Sequence, residues 1–216
     1  MTLSRRLVYP LCLLIGSLMT VAAGALHPDI VALDGAGQLA VIARSPAWPA
    51  IHWAFLFSFP LALTGLVGVI RMHAGTAGES AVRAAILVAT LAYALWAIIV
   101  AFMGGAGWAL ARSFATADAG MTATRAVFVF DMLRPFALEA QRVGGFALGL
   151  ATALFGWGVL DGKVLPRWLG AAALAAGGVG IVLALVFRED TKADQAAFVL
   201  PVVWQLVTGV VMLRRA

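Results

Sequence analysis

Residues 48–73 read WPAIHWAFLFSFPLALTGLVGVIRMH. A bilayer's hydrocarbon core is about 30 Å thick and takes roughly 20 apolar residues to cross as a helix. This run has that length. Trp48 and Trp53 stand near its start and Arg71 at its end, the aromatic and basic anchors expected at the two membrane–water boundaries. It is also the one apolar run with a histidine, His52, inside it. The run therefore reads as a membrane-spanning helix, and its direction decides which polar residues of the chain can meet.

The composition outside it agrees. The 216 residues are 63% hydrophobic and 12% charged, where soluble domains carry roughly a quarter charged residues. Lipid can cover that much apolar surface, and a soluble fold of this size cannot. The net charge of +5 is not a nucleic-acid footprint, because no Lys/Arg cluster exceeds the pairs Arg5-Arg6 and Arg214-Arg215. The expected partner is the lipid bilayer, with no nucleic acid. Cys12 is the lone cysteine, so no intrachain disulfide forms.

Five further apolar runs surround the first. Arg5-Arg6 followed by LVYPLCLLIGSLMTVAAGAL offers small residues of the kind a signal peptidase cuts, but its 20-residue length suits a span at 7–26. His27-Pro28 stops it, since a residue before proline avoids the helical region. Gly35, Gly37 and Pro46 make 27–47 a loop. The second span is 48–71, kinked at Pro60. A turn at 72–82 leads to the third span, 83–103, which stops at Gly104-Gly105. Spans at 143–160, 168–187 and 196–213 complete six, with a turn at 161–167 and a polar loop at 188–195. Between the third and fourth, 106–142 carries a charge every few residues and offers no clean span. It reads as an extracytoplasmic amphipathic helical segment lying at the interface. The expected fold is all-α: a single polytopic transmembrane helical bundle.

Placing the N-terminus in the cytoplasm puts eight basic and two acidic residues on the cytoplasmic side, in short turns and termini, and seven basic and eight acidic on the other. The positive-inside rule favours that orientation. It predicts a multi-pass protein of the bacterial inner (plasma) membrane with both termini cytoplasmic.

LALTGLVGVIRMHAGTAGESAVRAAIL and LATALFGWGVLDGKVLPRWLGAAAL share one plan: a glycine-bearing helix, a short basic turn, a small-residue helix. Such an echo is what a duplicated hairpin leaves. At these hairpins the chain resembles a broad set of small polytopic bacterial integral membrane proteins. The pieces that carry the likeness are His52-Trp53 leading into LTGLVGVIRMHAG, and LFGWGVLDGKVLPRWLGAAALAAGG. The resemblance brings no activity and no catalytic residue.

Chemistry is expected at the extracytoplasmic rim. His52 and His73 lie about 31 Å apart along one helix and cannot share a ligand. His73 falls in a cytoplasmic turn and reads as solvated. His27 and His52 reach the same rim if the first two spans pack as an antiparallel hairpin. Asp29, Asp34, Asp131 and Glu139 gather on that side. Neutral imidazoles with a carboxylate form a workable ligand set for haem or a transition metal, so His27, His52, Asp131 and Glu139 are the candidate metal residues. His27 and His52 are the candidate cofactor ligands. Equally, His52 can cap a backbone group or meet lipid headgroups.

Asp131–Arg134 and Glu139–Arg142 are i,i+3 pairs on a helix surface, or line a cavity where Pro135 breaks the helix. Gly145 and Gly149 form a GxxxG packing motif. Trp48, Trp53, Trp108, Trp157 and Trp168 read as belt anchors, while Tyr93 and Gln205 either line a pocket or bond across helices. Three functions stay open: a binding or redox protein with a ligand, metal or haem at its outer face; a structural or accessory subunit of a homo-oligomer or larger membrane complex; and a small transporter.

Overall fold

The computed structural model describes residues 3–30, 33–116, 121–187 and 192–215. Asp118, residues 188–191 of the expected 188–195 loop, and the side chains of 3–6, 121 and 192–194 lie outside the described residues; Arg5 and Arg6 are among them. The chain forms α1 Leu3–Leu26, α2 Gly35–Ala43, α3 Trp48–Met72, α4 Glu79–Phe102, α5 Trp108–Thr116, α6 Met121–Gly162, α7 Arg167–Val186 and α8 Lys192–Leu213. No strand occurs among the described residues. Among the described residues, six stretches are long and apolar enough to cross a membrane, with α4 and α5 counting as one. The protein is a polytopic transmembrane helical bundle of six spans.

Each span packs on the next, and α8 packs back on α1, which closes the bundle. α6 also meets α8 across the ring, so α7 sits on the outside. Where lipid is as apolar as the helices, close backbone approach holds helices together. A Cβ added at Gly65 of α3 would fall 2.6 Å from the Leu13 Cα of α1, and one at Gly149 of α6 would fall 2.9 Å from the Gly177 carbonyl of α7. At Gly145 nothing lies nearer than 3.8 Å, so Gly149 carries the packing role of the GxxxG pair.

The two ends of the bundle differ. At one end, Arg71 lies over the Tyr9 ring, Arg215 donates to the Val164 carbonyl, and the turn at Gly78 abuts Gly158. Both described ends of the chain and both short basic turns share this end, here termed basic. The distal end holds His27, His52 and α2.

Segment 106–142 departs from the expected separate interfacial helices. α4 passes through a π-helical turn, Met103–Gly107, straight into α5. On the other side, α6 is one helix of 42 residues. At 1.5 Å per residue it is about 63 Å long, twice the hydrocarbon thickness. Its C-terminal end is fixed at the basic end, so the excess projects beyond the distal boundary. There α5 packs on α6, and α2 packs on both.

The charges that interrupt 106–142 are tolerated because that part of each helix need not face lipid. α6 also runs through Pro135 unbroken. The carbonyl that a proline leaves unpaired is four residues back, at Asp131, and Asp131 is exposed. α2 replaces part of the expected 27–47 loop. Asp34 caps it by accepting the Gly37 N–H at 2.7 Å.

Deep in the bundle, the Tyr93 hydroxyl of α4 donates to Gln205 Oε1 of α8 at 2.7 Å, both residues being buried. The pair bonds across helices. Tyr93→Phe leaves a buried amide oxygen unpaired, which costs about 1–3 kcal/mol. The measurement is denaturant unfolding in mild detergent beside the parent; an unchanged midpoint would show that the bond contributes nothing.

Candidate distal cavity

Five of the six spans enclose a cavity of about 520 Å³ at the distal end, roofed by the 28–30 segment and Gln38 of α2. Small-molecule sites occupy roughly 300–1,000 Å³ and are mostly apolar with a few converging polar groups. The walls fit that description: Phe55, Ile99, Leu138, Phe198 and Val202 are apolar, and His27, His52 and Gln38 stand among them.

His27 and His52 do meet. Their ring centres are 5.3 Å apart, and Trp48 packs against both, at 4.7 Å and 4.5 Å. The Nδ1 of His27 is 2.8 Å from the Pro28 carbonyl, and that of His52 is 2.8 Å from the Trp48 carbonyl. A carbonyl only accepts, so each Nδ1 must carry the proton. In the neutral ring Nε2 is then a bare lone pair. Two imidazoles held in one tautomer thus give the cavity two acceptors. His52 does engage a backbone group, as its plainer reading had it, but with Nδ1 alone.

The backbone around His52 is shaped for it. The Trp48 indole N–H donates to the Met103 carbonyl at 2.8 Å, in the first residue of the π-helical turn. One residue on, a Cβ at Gly104 would lie 2.7 Å from the His52 Cβ. A π-turn with a glycine against the histidine lets α4 wrap this corner, and such turns recur at functional sites.

Gln38 is buried and donates its amide hydrogens to the Ile30 and Leu33 carbonyls at 3.3 Å and 3.1 Å. Its oxygen remains as a third acceptor. Arg134 and Gln141 of α6 also line the cavity.

The expected metal set is not assembled. Asp131 lies against Gly35 at the start of α2, and Glu139 is ion-paired with Arg142 on the exposed face of α6. Among the described residues, no three His, Cys, Asp or Glu side chains are grouped to hold a metal ion. Zinc and similar ions take three or four protein ligands, and the histidines supply two. A macrocycle does not fit between them either, since rings 5.3 Å apart and packed on one indole leave no slot for it.

Other expectations shift. Trp53, Trp157 and Trp168 are exposed as anchors would be, but Trp48 is wholly buried. His73 is buried too: its Nδ1 donates to the Val69 carbonyl at 2.8 Å, and its ring fills the space left by Gly162. Gln38 lines the cavity, and Trp48 and Gly104 pack against His52 from outside it; the sequence did not single out these three as a group. Gln38 had a signal, a lone amide inside the apolar run LAVIA and its neighbours. No family model, no curated protein and no solved structure matches this chain.

Proposed function

We propose that this protein binds a small, largely apolar molecule at the extracytoplasmic end of a six-span bundle in the bacterial inner membrane. One observation carries the reading: two histidines, locked as acceptors, face an apolar cavity of small-molecule size. The ligand would donate hydrogen bonds to His27, His52 and Gln38 while its body fills the apolar walls. The termini lie in the cytoplasm on this reading, because the basic end carries Arg71, Arg83, Lys163, Arg167, Arg214 and Arg215 in turns and chain ends.

Protein purified in mild detergent and extracted with organic solvent should release a bound molecule, at a yield at least about tenfold lower from His52→Leu. An optical spectrum and metal content on the same sample test the metal and haem readings. Equal extracts from parent and variant, without metal or colour, would remove the site.

Acid should weaken the site. Burial pushes the His27 imidazole below its ordinary 6.5, against the Pro28 carbonyl and the Asp29 carboxylate, which pull it up. The unfolded chain therefore takes up this proton near pH 6.5 and the folded protein only at lower pH. The stability His27 contributes is complete above about pH 6.5 and is lost as pH falls through the folded value. Protonation also removes the Nε2 lone pair that a ligand would use. Retained ligand and unfolding temperature should both drop from pH 7.5 to 5, with a smaller slope in His27→Asn. A flat profile in the parent would refute this.

A second reading, a subunit of a homo-oligomer or larger membrane complex, draws on Phe128, Met132 and Phe136. They are 64%, 66% and 69% exposed and form one stripe on the projecting part of α6. Cross-linking in native membranes tests it, and a strict monomer removes it. Nothing favours a transporter, since the mid-span polar pair, Tyr93 and Gln205, satisfies itself.

A further inference from the structure

We propose that the cavity takes its ligand from the bilayer: an amphiphile whose hydroxyl or phenol head sits at His27, His52 and Gln38, and whose apolar tail leaves between α1 and α8 into the distal leaflet. This rests on the binding reading above and adds the ligand's shape and its route.

The route follows from which walls are open. Every cavity residue on α3, α4 and α6 is buried or half-buried. The exposed ones are Val21, Gly24 and Ala25 of α1, Gln195 and Val199 of α8, and Asp29 in the roof. The mouth is therefore a slot between the last turns of α1 and the first turns of α8. Those turns belong to the apolar spans Leu7–Leu26 and Gln195–Leu213, so the slot meets lipid. Deeper down, a Cβ at Gly209 of α8 would lie 2.9 Å from the Leu14 side chain, whereas one at Gly24 would meet nothing within 4 Å.

The head group follows from the acceptors. His27 and His52 each present a lone pair because their Nδ1 protons are committed to carbonyls, and Gln38 presents an oxygen because its amide hydrogens are. Three acceptors in a mostly apolar enclosure select a donor, since an unpaired polar atom there is costly. Arg134 and Gln141 on the α6 wall are each already engaged in an interaction, and at the three acceptor atoms a phosphodiester would set acceptor against acceptor. A hydroxyl or phenol satisfies them.

The test uses the full chain in lipid nanodiscs and three probes: 4-dodecylphenol, 4-ethylphenol and dodecylbenzene. Affinity is expressed per mole fraction in the bilayer, so that simple partition cancels. The parent should bind 4-dodecylphenol at least about tenfold tighter than either of the others, and His52→Leu should lose at least about tenfold. Gly24→Phe fills open space at the slot, so it should unfold at the parent's temperature yet bind about tenfold more weakly. Val21→Trp is a second plug.

Two results overturn the tail route while leaving the site itself standing. One is equal binding of 4-ethylphenol that still depends on His52; the other is parent-like binding in both plugged variants. Equal binding of dodecylbenzene overturns the head-group assignment. Failure of every probe to bind in a His52-dependent way overturns the route and the binding reading together.

Discussion

Trp48→Ala is expected to destabilise the protein by about 3–5 kcal/mol and to abolish the ligand binding proposed for the distal cavity. Trp48 is wholly buried, and its ring is the surface on which both histidines rest. Removing it leaves a void the size of an indole. In a bilayer the transfer part of such a loss shrinks, because lipid tails are as apolar as the core. The cavity part persists, and Trp48 stands at the end of its span beneath α2, close to water.

Its N–H is a separate contribution. The Met103 carbonyl it satisfies sits in the π-helical turn, where the regular helical hydrogen-bond ladder is interrupted. Trp48→Phe keeps most of the packing and orphans that carbonyl, for about 1–3 kcal/mol. Reversible unfolding in mild detergent measures both variants, and solvent extraction measures the ligand. If Trp48→Ala loses under about 1 kcal/mol, the three-ring cluster does not organise this end of the bundle.

The membrane bundle was legible in the sequence because lipid imposes a length and a polarity on every helix it touches. The six apolar runs show both, and the expected span boundaries at 26, 48, 71 and 187 fall within a residue of the helix ends. Legibility ended where lipid ends. Residues 106–142 carry charge, and charge within a helix reads as a sign of lying flat. The competing signal was a stripe of buried positions, Ala126, Phe130, Ala137, Ala140, Ala147 and Ala151, at helical spacing through Pro135. It marks one helix continuing out of the membrane, but its alanines are too small to raise the hydropathy.

The histidine pair was legible for a similar reason. Two antiparallel spans of fixed length must bring the end of one beside the start of the next, so His27 and His52 meet. No length rule places Asp131 or Glu139. Both belong to the projecting part of α6, where Asp131 abuts Gly35 of α2 and Glu139 pairs with Arg142. His73 sits in a short turn between spans, which from sequence alone reads as surface. Gly162 has no side chain, and the imidazole of the neighbouring hairpin occupies that space.

The same kind of contact makes Gly78 the most sensitive small residue at the basic end. A Cβ there would lie 2.0 Å from the Gly158 carbonyl oxygen, 2.8 Å from its carbon and 2.9 Å from the Gly162 nitrogen. All three are backbone atoms, so no side chain can swing aside. The φ of Gly78 is −82°, which any residue can adopt, and the constraint is therefore space alone. Gly78→Leu must push the start of α4 off α6, and this is a main contact of the bundle. The expected loss is about 3 kcal/mol or more, the upper range for overpacking, with Gly78→Ala smaller in size and of the same sign.

Gly178→Ala is the control. It lies mid-helix in α7 with nothing within 4 Å of a Cβ, and it should gain up to about 1 kcal/mol from helix propensity. Unfolding midpoints for the three variants in one detergent separate crowding from the general effect of replacing glycine. Should Gly78→Ala unfold like the parent while Gly178→Ala stabilises, the turn at residues 73–78 does not press on α6, and the closed ring of helices at the basic end is looser than this packing requires.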